Sequence, residues 1–167
     1  MTRLLVIVIA AAALLTTGFF AWRYFFPDDE TRIIRTLESA ADAVGCSPGE
    51  SAPAASGKIR RIESLIGDSI DIDLRVERET RGRTFSRGEI VAVLANERRS
   101  GARVKVELAD FTVAVAGDSA DAEAAATIYY RNGEREFSQQ DELKIGLVRR
   151  DGKWLITRLH IRNFMEK

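Results

Sequence analysis

Two side chains in this sequence have the chemistry to move a proton near neutral pH. His160 is the single histidine and would be the natural general base, although no partner is secured for it by spacing. Asp141 shares strand phase with Phe137, Gln139, Leu143, Ile145 and Leu147, a set that should face one side of a sheet. An inward carboxylate there would be desolvated; a phase slip at a bulge or a wet strand end is the alternative. Tyr130 shares phase with Ala122, Ala124, Ala126 and Ile128. Such alanines either leave room for a ligand or let a helix approach closely. Tyr130, Phe137, Gln139 and Asp141 are therefore the pocket-lining candidates. Asp141 and His160 are weak catalytic candidates, and no catalytic set is assigned.

Other constellations point less far. Asp68, Asp71 and Asp73 could suggest a hard cation, but Asp71 and Asp73 are the polar phase of an alternating strand, and no full set of oxygen ligands follows. No metal or cofactor is expected. Arg75, Arg78, Arg81, Arg83 and Arg87 could hold phosphate or lipid head groups, yet Glu77, Glu79 and Glu89 interleave with them and favour a self-paired, solvated surface. There is no phosphate loop, nucleophile elbow or zinc spacing. Lysine plus arginine and aspartate plus glutamate both number 25, so the chain offers no net charge for nucleic-acid binding. Cys46 is the sole cysteine and can form no internal disulfide. Although Ala43-Val44-Gly45-Cys46 has a lipoprotein-like look, it lies far from any apolar run, and a structural thiol is the better reading.

The one long apolar run is Leu4–Trp22. As a helix it would reach about 28 Å, close to the hydrocarbon thickness of a bilayer. Its flank Phe19-Phe20-Ala21-Trp22-Arg23-Tyr24-Phe25-Phe26 has the character of an aromatic interfacial belt. Residues 1–26 thus read as an uncleaved signal-anchor, with a cleaved signal near Thr16 and Gly18 as the rival. Arg3 precedes the run and Asp28, Asp29 and Glu30 follow it, which places residues 27–167 outside the cytoplasm. The expected location is single-pass in the inner membrane, or secreted if the signal is cut.

The rest of the chain must position the candidates. Ile33, Ile34, Leu37, Ala40, Ala41 and Val44 recur at helical spacing behind an acidic first turn. Ser47–Gly57 is rich in Pro, Gly and Ser and predicts a loop. Ile59, Ile62, Leu65 and Ile66 predict a second helix stopped by Gly67, and Ile70–Glu77 alternates as a strand. Ser86-Arg87-Gly88-Glu89 is a capping box that starts a third helix ending near Arg99. From Ala102 long alternating segments follow, with a phase shift at Ala109-Asp110, a turn at Gly117-Asp118-Ser119, a hairpin at Asn132-Gly133, and a last turn at Asp151-Gly152 before Lys153–Phe164. The class is α+β.

That order of elements, closing with Arg150-Asp151-Gly152-Lys153-Trp154-Leu155-Ile156, resembles the nuclear transport factor 2-like superfamily of cystatin-like cone folds. The resemblance covers residues 27–167 and implies helices packed in a curved antiparallel sheet, with a pocket at the open end. Members include isomerases, dehydratases, binders, dimerisation modules and membrane-anchored parts of secretion machines. Enzymes resembling ketosteroid isomerase commonly place a Tyr on the first helix. Here that inward face carries Ile33, Ile34, Leu37, Ala41 and Val44 instead.

These readings predict a membrane-tethered extracytoplasmic domain that works by binding, through a protein partner, a homodimer or a hydrophobic small ligand, and is more readily non-enzymatic than enzymatic. One alternative is a proton-transfer isomerase or dehydratase using Asp141 or His160. Another is an inner-membrane assembly factor of a secretion system, which joins one N-terminal span to such a domain.

Overall fold

Helix α1, Asp29–Val44, begins where Asp28 caps it: its Oδ1 accepts the Thr31 amide at 2.9 Å, and Asp29 and Glu30 complement the positive end of the helix. Its buried stripe is Ile33, Leu37, Ala40 and Ala43. Ile34 and Ala41, expected inward, are only half-buried, and Ala43 lies deeper than either. The computed structural model describes residues 28–76 and 79–163, without the side chains of residues 74–81 and 163. The proposed span Leu4–Trp22 and the strand end at Phe164 lie outside the described residues. Among those described, no helix is long and apolar enough to cross a membrane.

Helix α2, Ala52–Leu65, starts inside the segment Ser47–Gly57 that composition predicts to be a loop. Ser51 caps it and Pro53 sits in the first turn, where the missing N–H loses no helical bond. The composition was that of a helix start as much as of a loop. Nor does Gly67 stop this helix: Ile66 is already in strand β1, Ile66–Val76. A Cβ on Gly67 would meet Thr157 Cγ2 at 3.0 Å, so glycine serves a close approach of strands.

Strand β2, Glu79–Ser86, pairs antiparallel with β1 from Ser69↔Ser86 to Val76↔Glu79. The sequence reading saw only a charged surface there. Backbone pairing is indifferent to that charge, and β2 is an edge strand, where charged side chains oppose pairing with other chains. Helix α3, Arg87–Arg99, has the predicted capping box: Ser86 Oγ accepts the Glu89 amide and Glu89 Oε2 accepts the Ser86 amide at 2.8 Å. It buries no residue fully and leans on the core through Ile90 and Leu94.

Strands β3 (Arg103–Ala116), β4 (Ser119–Asn132), β5 (Arg135–Arg150) and β6 (Lys153–Asn163) follow as a meander. The expected irregularity in β3 is present, with register shifting between Ala109 and Thr112 and Asp110 at φ 55°. The last turn places Asp151 and Gly152 at φ 50° and 73°, the left-handed pair that suits a two-residue hairpin. The sheet order is β2-β1-β6-β5-β4-β3. Every neighbouring pair is antiparallel except β1 and β6, which run parallel. The expectation of an all-antiparallel sheet is thus corrected to a mixed one. No turn joins β1 to β6, so nothing local sets their relative direction.

The core gathers Ile33, Leu37 and Ala43 of α1, Ile62 of α2, and Ile70, Ala120, Ala122, Ala126, Ile145, Leu147 and Trp154 of the sheet. Helix α1 packs on β3 and touches β6. Ala120, Ala122, Ala124 and Ala126 of β4 are at most 4 % exposed, and all but Ala124 belong to the core cluster that includes α1, while Ala125 faces the other way and is exposed. Cys46 is buried, pairs through its backbone with Val104, and donates its thiol to the Ala102 carbonyl.

Candidate functional site

Alternation along β5 carries Gln139, Asp141, Leu143, Ile145 and Leu147 to the face that the helices cover. Asp141 is 2 % exposed and is the one acidic or basic residue in the fully buried set of the described residues. Its carboxylate is met by a single side chain among them: Gln139 Nε2 donates to Oδ1 at 2.8 Å and to Oδ2 at 3.0 Å. Across the ladder Asp141 lies opposite Ala126 and Gln139 opposite Ile128, with Leu108 and Val106 of β3 continuing the two rows. On that side of the ladder its neighbours are apolar, so among the described residues this one amide replaces water at the carboxylate.

Nearer the hairpin, Tyr130 and Phe137 face each other in register and stack, with ring centroids 5.0 Å apart and planes inclined by 21°. Asn132 Nδ2 reaches the Tyr130 hydroxyl and Ser100 Oγ, each at 3.4 Å. Phe137 is 51 % exposed. Together with Glu134, Arg135 and Glu136 these residues line an open cleft of about 920 Å³. The four predicted pocket residues therefore divide. Tyr130 and Phe137 form a wet aromatic platform, while Gln139 and Asp141 lie further along the strand; neither lines that cleft.

His160 stands elsewhere. It is opposite Lys144 in the ladder, on the sheet face away from Asp141, and its Nδ1 is 3.9 Å from Asp73 Oδ2. The two catalytic candidates therefore do not converge on one reacting atom. The aspartates considered for a cation are likewise occupied separately. Asp68 takes Arg87 and Arg150, Asp71 accepts the Thr84 hydroxyl, and Asp73 faces His160. No three metal-ligating side chains gather among the described residues. Arg83 and Arg87 are engaged as well, the first with Glu89 and over the Phe85 ring, the second with Asp68 and the carbonyls of Ile66 and Gly67.

Two polar groupings escaped the sequence reading because their members lie far apart in the chain. Asp29 accepts from Trp154 Nε1 at 3.2 Å and from Arg149 at 2.9 Å, and the Arg149 guanidinium lies over the Trp154 ring. This clasp fixes the start of α1, next to the segment read as a tether. The hydrogen bond that Arg149 donates to Asp118, ahead of its attraction to Asp29, raises the Arg149 pKa further, so that side chain is a permanent cation. In the second grouping Arg98 donates to the Ala43 and Gly45 carbonyls, and Lys58 also donates to Gly45. No basic residue sits in the last turn of α1, so these two cations supply from outside what that negative helix end lacks. The dipeptide Arg98-Arg99 at a predicted helix end was the only local signal.

A sequence profile of the SnoaL-like domain matches residues 67–160, more than half of the chain. The chain belongs to the SnoaL-like family. Solved structures agree on the fold of this SnoaL-like chain. A nuclear transport factor 2-like protein from Cytophaga hutchinsonii superposes with a TM-score of 0.63 at 12 % identity, covering 82 % of this chain and 99 % of that one. One with a cystatin-like fold from Novosphingobium aromaticivorans gives 0.60 at 16 % identity, covering 89 % and 90 %. A candidate dehydratase of the same family from Streptomyces avermitilis gives 0.61 at 15 % identity, covering 83 % and 97 %. At these identities the likeness is one of fold and does not transfer chemistry. No functionally curated protein matches the sequence.

Proposed function

We propose that this SnoaL-like domain is a binding module held at a membrane by Leu4–Trp22, facing the extracytoplasmic side and acting through a protein partner, a second copy or a small apolar ligand. The observation that carries the non-catalytic part is the separation of Asp141 from His160 on opposite sheet faces, together with the engagement of both Asp141 oxygens by Gln139. A general acid and base working on one substrate need a shared point of approach. The apolar run and its aromatic flank support the tether. Cross-linking of the full chain in its native membranes should recover a partner or a homodimer, and protease added from outside should cut the domain. A monomer recovered alone from a soluble fraction would overturn the reading.

The burial of Asp141 favours a second reading, in which the carboxylate removes a proton beside the carbonyl of a small apolar substrate and returns it to a neighbouring position. Deuterium exchange from solvent into simple cyclic ketones, followed by NMR, tests it. Catalysed exchange that disappears in Asp141→Asn supports an enzyme, and exchange no faster than in buffer rejects this role for these ketones.

A further inference from the structure

A second cleft, of about 690 Å³, opens between the first turns of α2 and the end of α3 and is lined by none of the sheet residues discussed above. Its apolar lining comes from Ala52, Ala55, Ile59 and Ala95. Its charged lining is three arginines, Arg60, Arg98 and Arg99, against one carboxylate, Glu50. That carboxylate is already committed: Glu50 Oε1 holds Lys58 at 2.9 Å, and Oε2 stands 3.6 Å from Arg98 Nε. Arg60 and Arg99 are exposed, and neither has an acidic partner among the described residues. The Arg98 side chain is 8 % exposed and its Nε meets Glu50 Oε2 as an ion pair, so the two exposed arginines are the cations left to face the cleft.

We infer that this cleft binds an acidic amphiphile, a carboxylate or phosphate head beside Arg60 and Arg99 with its apolar body over Ala52, Ala55, Ile59 and Ala95. Charge selects the head, since a planar guanidinium offers paired donors to either anion and two of them here are free to turn toward it. The alanines and Ile59 give the body a surface without polar groups to desolvate. Neither the tether nor any catalytic role of Asp141 is needed for this site, so it stands or falls separately from the function proposed above. The same head could belong to a bilayer lipid or to a free acid.

The test is an NMR titration of the labelled full chain with decanoate, with decanol and with inorganic phosphate. Decanoate should shift the amides of Ala52, Ala55, Ala95 and Gly101, and should bind at least tenfold more tightly than decanol or phosphate alone. The exposed pair Arg60→Glu and Arg99→Glu, combined in one variant, should weaken decanoate at least tenfold while leaving decanol unchanged. Glu50→Gln removes the single carboxylate and should tighten decanoate. Competition by phosphatidylglycerol vesicles, but not by phosphatidylcholine vesicles, would support the site and name a lipid head as its source; no competition by either would support it with a free acid. Equal binding of decanol and decanoate, shifts confined to other regions, or a folded double-glutamate variant that binds decanoate as the wild type does would overturn the inference.

Discussion

The Thr157 hydroxyl donates to the Gly146 carbonyl at 3.3 Å, at the one place where the ladder between β5 and β6 loses its step. On one side Leu147 is opposite Ile156; on the other Gly146 is opposite Arg158, and Thr157 is the extra residue of a bulge. Trp154 and Ile156 are buried before it, and Leu159 and Ile161 pack on the core after it. The inward phase therefore changes from even to odd numbers at Thr157. Unbroken alternation would have carried His160 inward with Trp154 and Ile156. The bulge turns it out.

Deletion of this extra residue would only close the bulge and keep Leu159 and Ile161 inward, but adding a residue should be severe. Insertion of one alanine after Thr157 slips the end of β6 by one, which exchanges Leu159 and Ile161 for Arg158 and His160 on the core face. The variant is expected to lose cooperative unfolding, checked by urea denaturation. Gly146→Ala probes the same place more gently, because a Cβ there would stand 3.1 Å from Arg158 Cβ. A loss of about 1–2 kcal/mol is expected from crowding of this size.

Asp141 and Gln139 should behave as a coupled pair. Asp141→Ala leaves the Gln139 amide without its acceptor, at a cost of about 1–3 kcal/mol. Gln139→Ala should cost at least as much, since it strands a carboxylate that is 2 % exposed. The double variant should lose less than the sum of the two. Chemical denaturation of all three decides, and simple additivity would refute the coupling.

The clasp on α1 makes a different demand. Trp154→Phe keeps the ring but removes the donor to Asp29, and should cost about 1–2 kcal/mol. Arg149→Ala loses the ring contact and bonds to Asp29, Asp118 and the Gly117 carbonyl, so its melting temperature should fall as well. In both variants hydrogen exchange should rise first in the opening turn of α1. Faster exchange beginning in α3 would show that the clasp does not govern this end.

Glu89 gives a pH signature. Its pKa is held below the ordinary value of 4.5, first by the Ser86 amide, then by the Ser86 hydroxyl and by Arg83. A depressed acid stabilises the fold fully above its ordinary value and loses that contribution as pH falls through the lowered one. The stability gap between wild type and Glu89→Gln should thus be widest near neutrality and close in acid below the ordinary value. Urea midpoints across that range measure it; a gap that widens in acid would contradict the capping geometry.

Much of the architecture was legible because it is local. The capping box at Ser86, the irregularity at Asp110, the turns at Gly133 and Gly152 and the inward phase of Asp141 all depend on residues within a few positions of one another. Two local readings failed through ambiguity of composition. Pro53 begins a helix as readily as it marks a loop, and the charged stretch that became β2 is held by main-chain pairing that its side chains do not announce.

By itself, then, the sequence determined the class of the domain, the kind and order of most elements, and which strand residues share a face. Only the tertiary structure decided that β6 lies parallel to β1, that a bulge at Thr157 parts His160 from Asp141, and that Arg60 and Arg99 border one cleft. The physical reason is range. Helical period, strand alternation and caps are set by neighbouring dihedral angles and side chains. The position of a bulge, the adjacency of strands that no turn connects and the meeting of two helices are settled by how the whole apolar surface is buried at once.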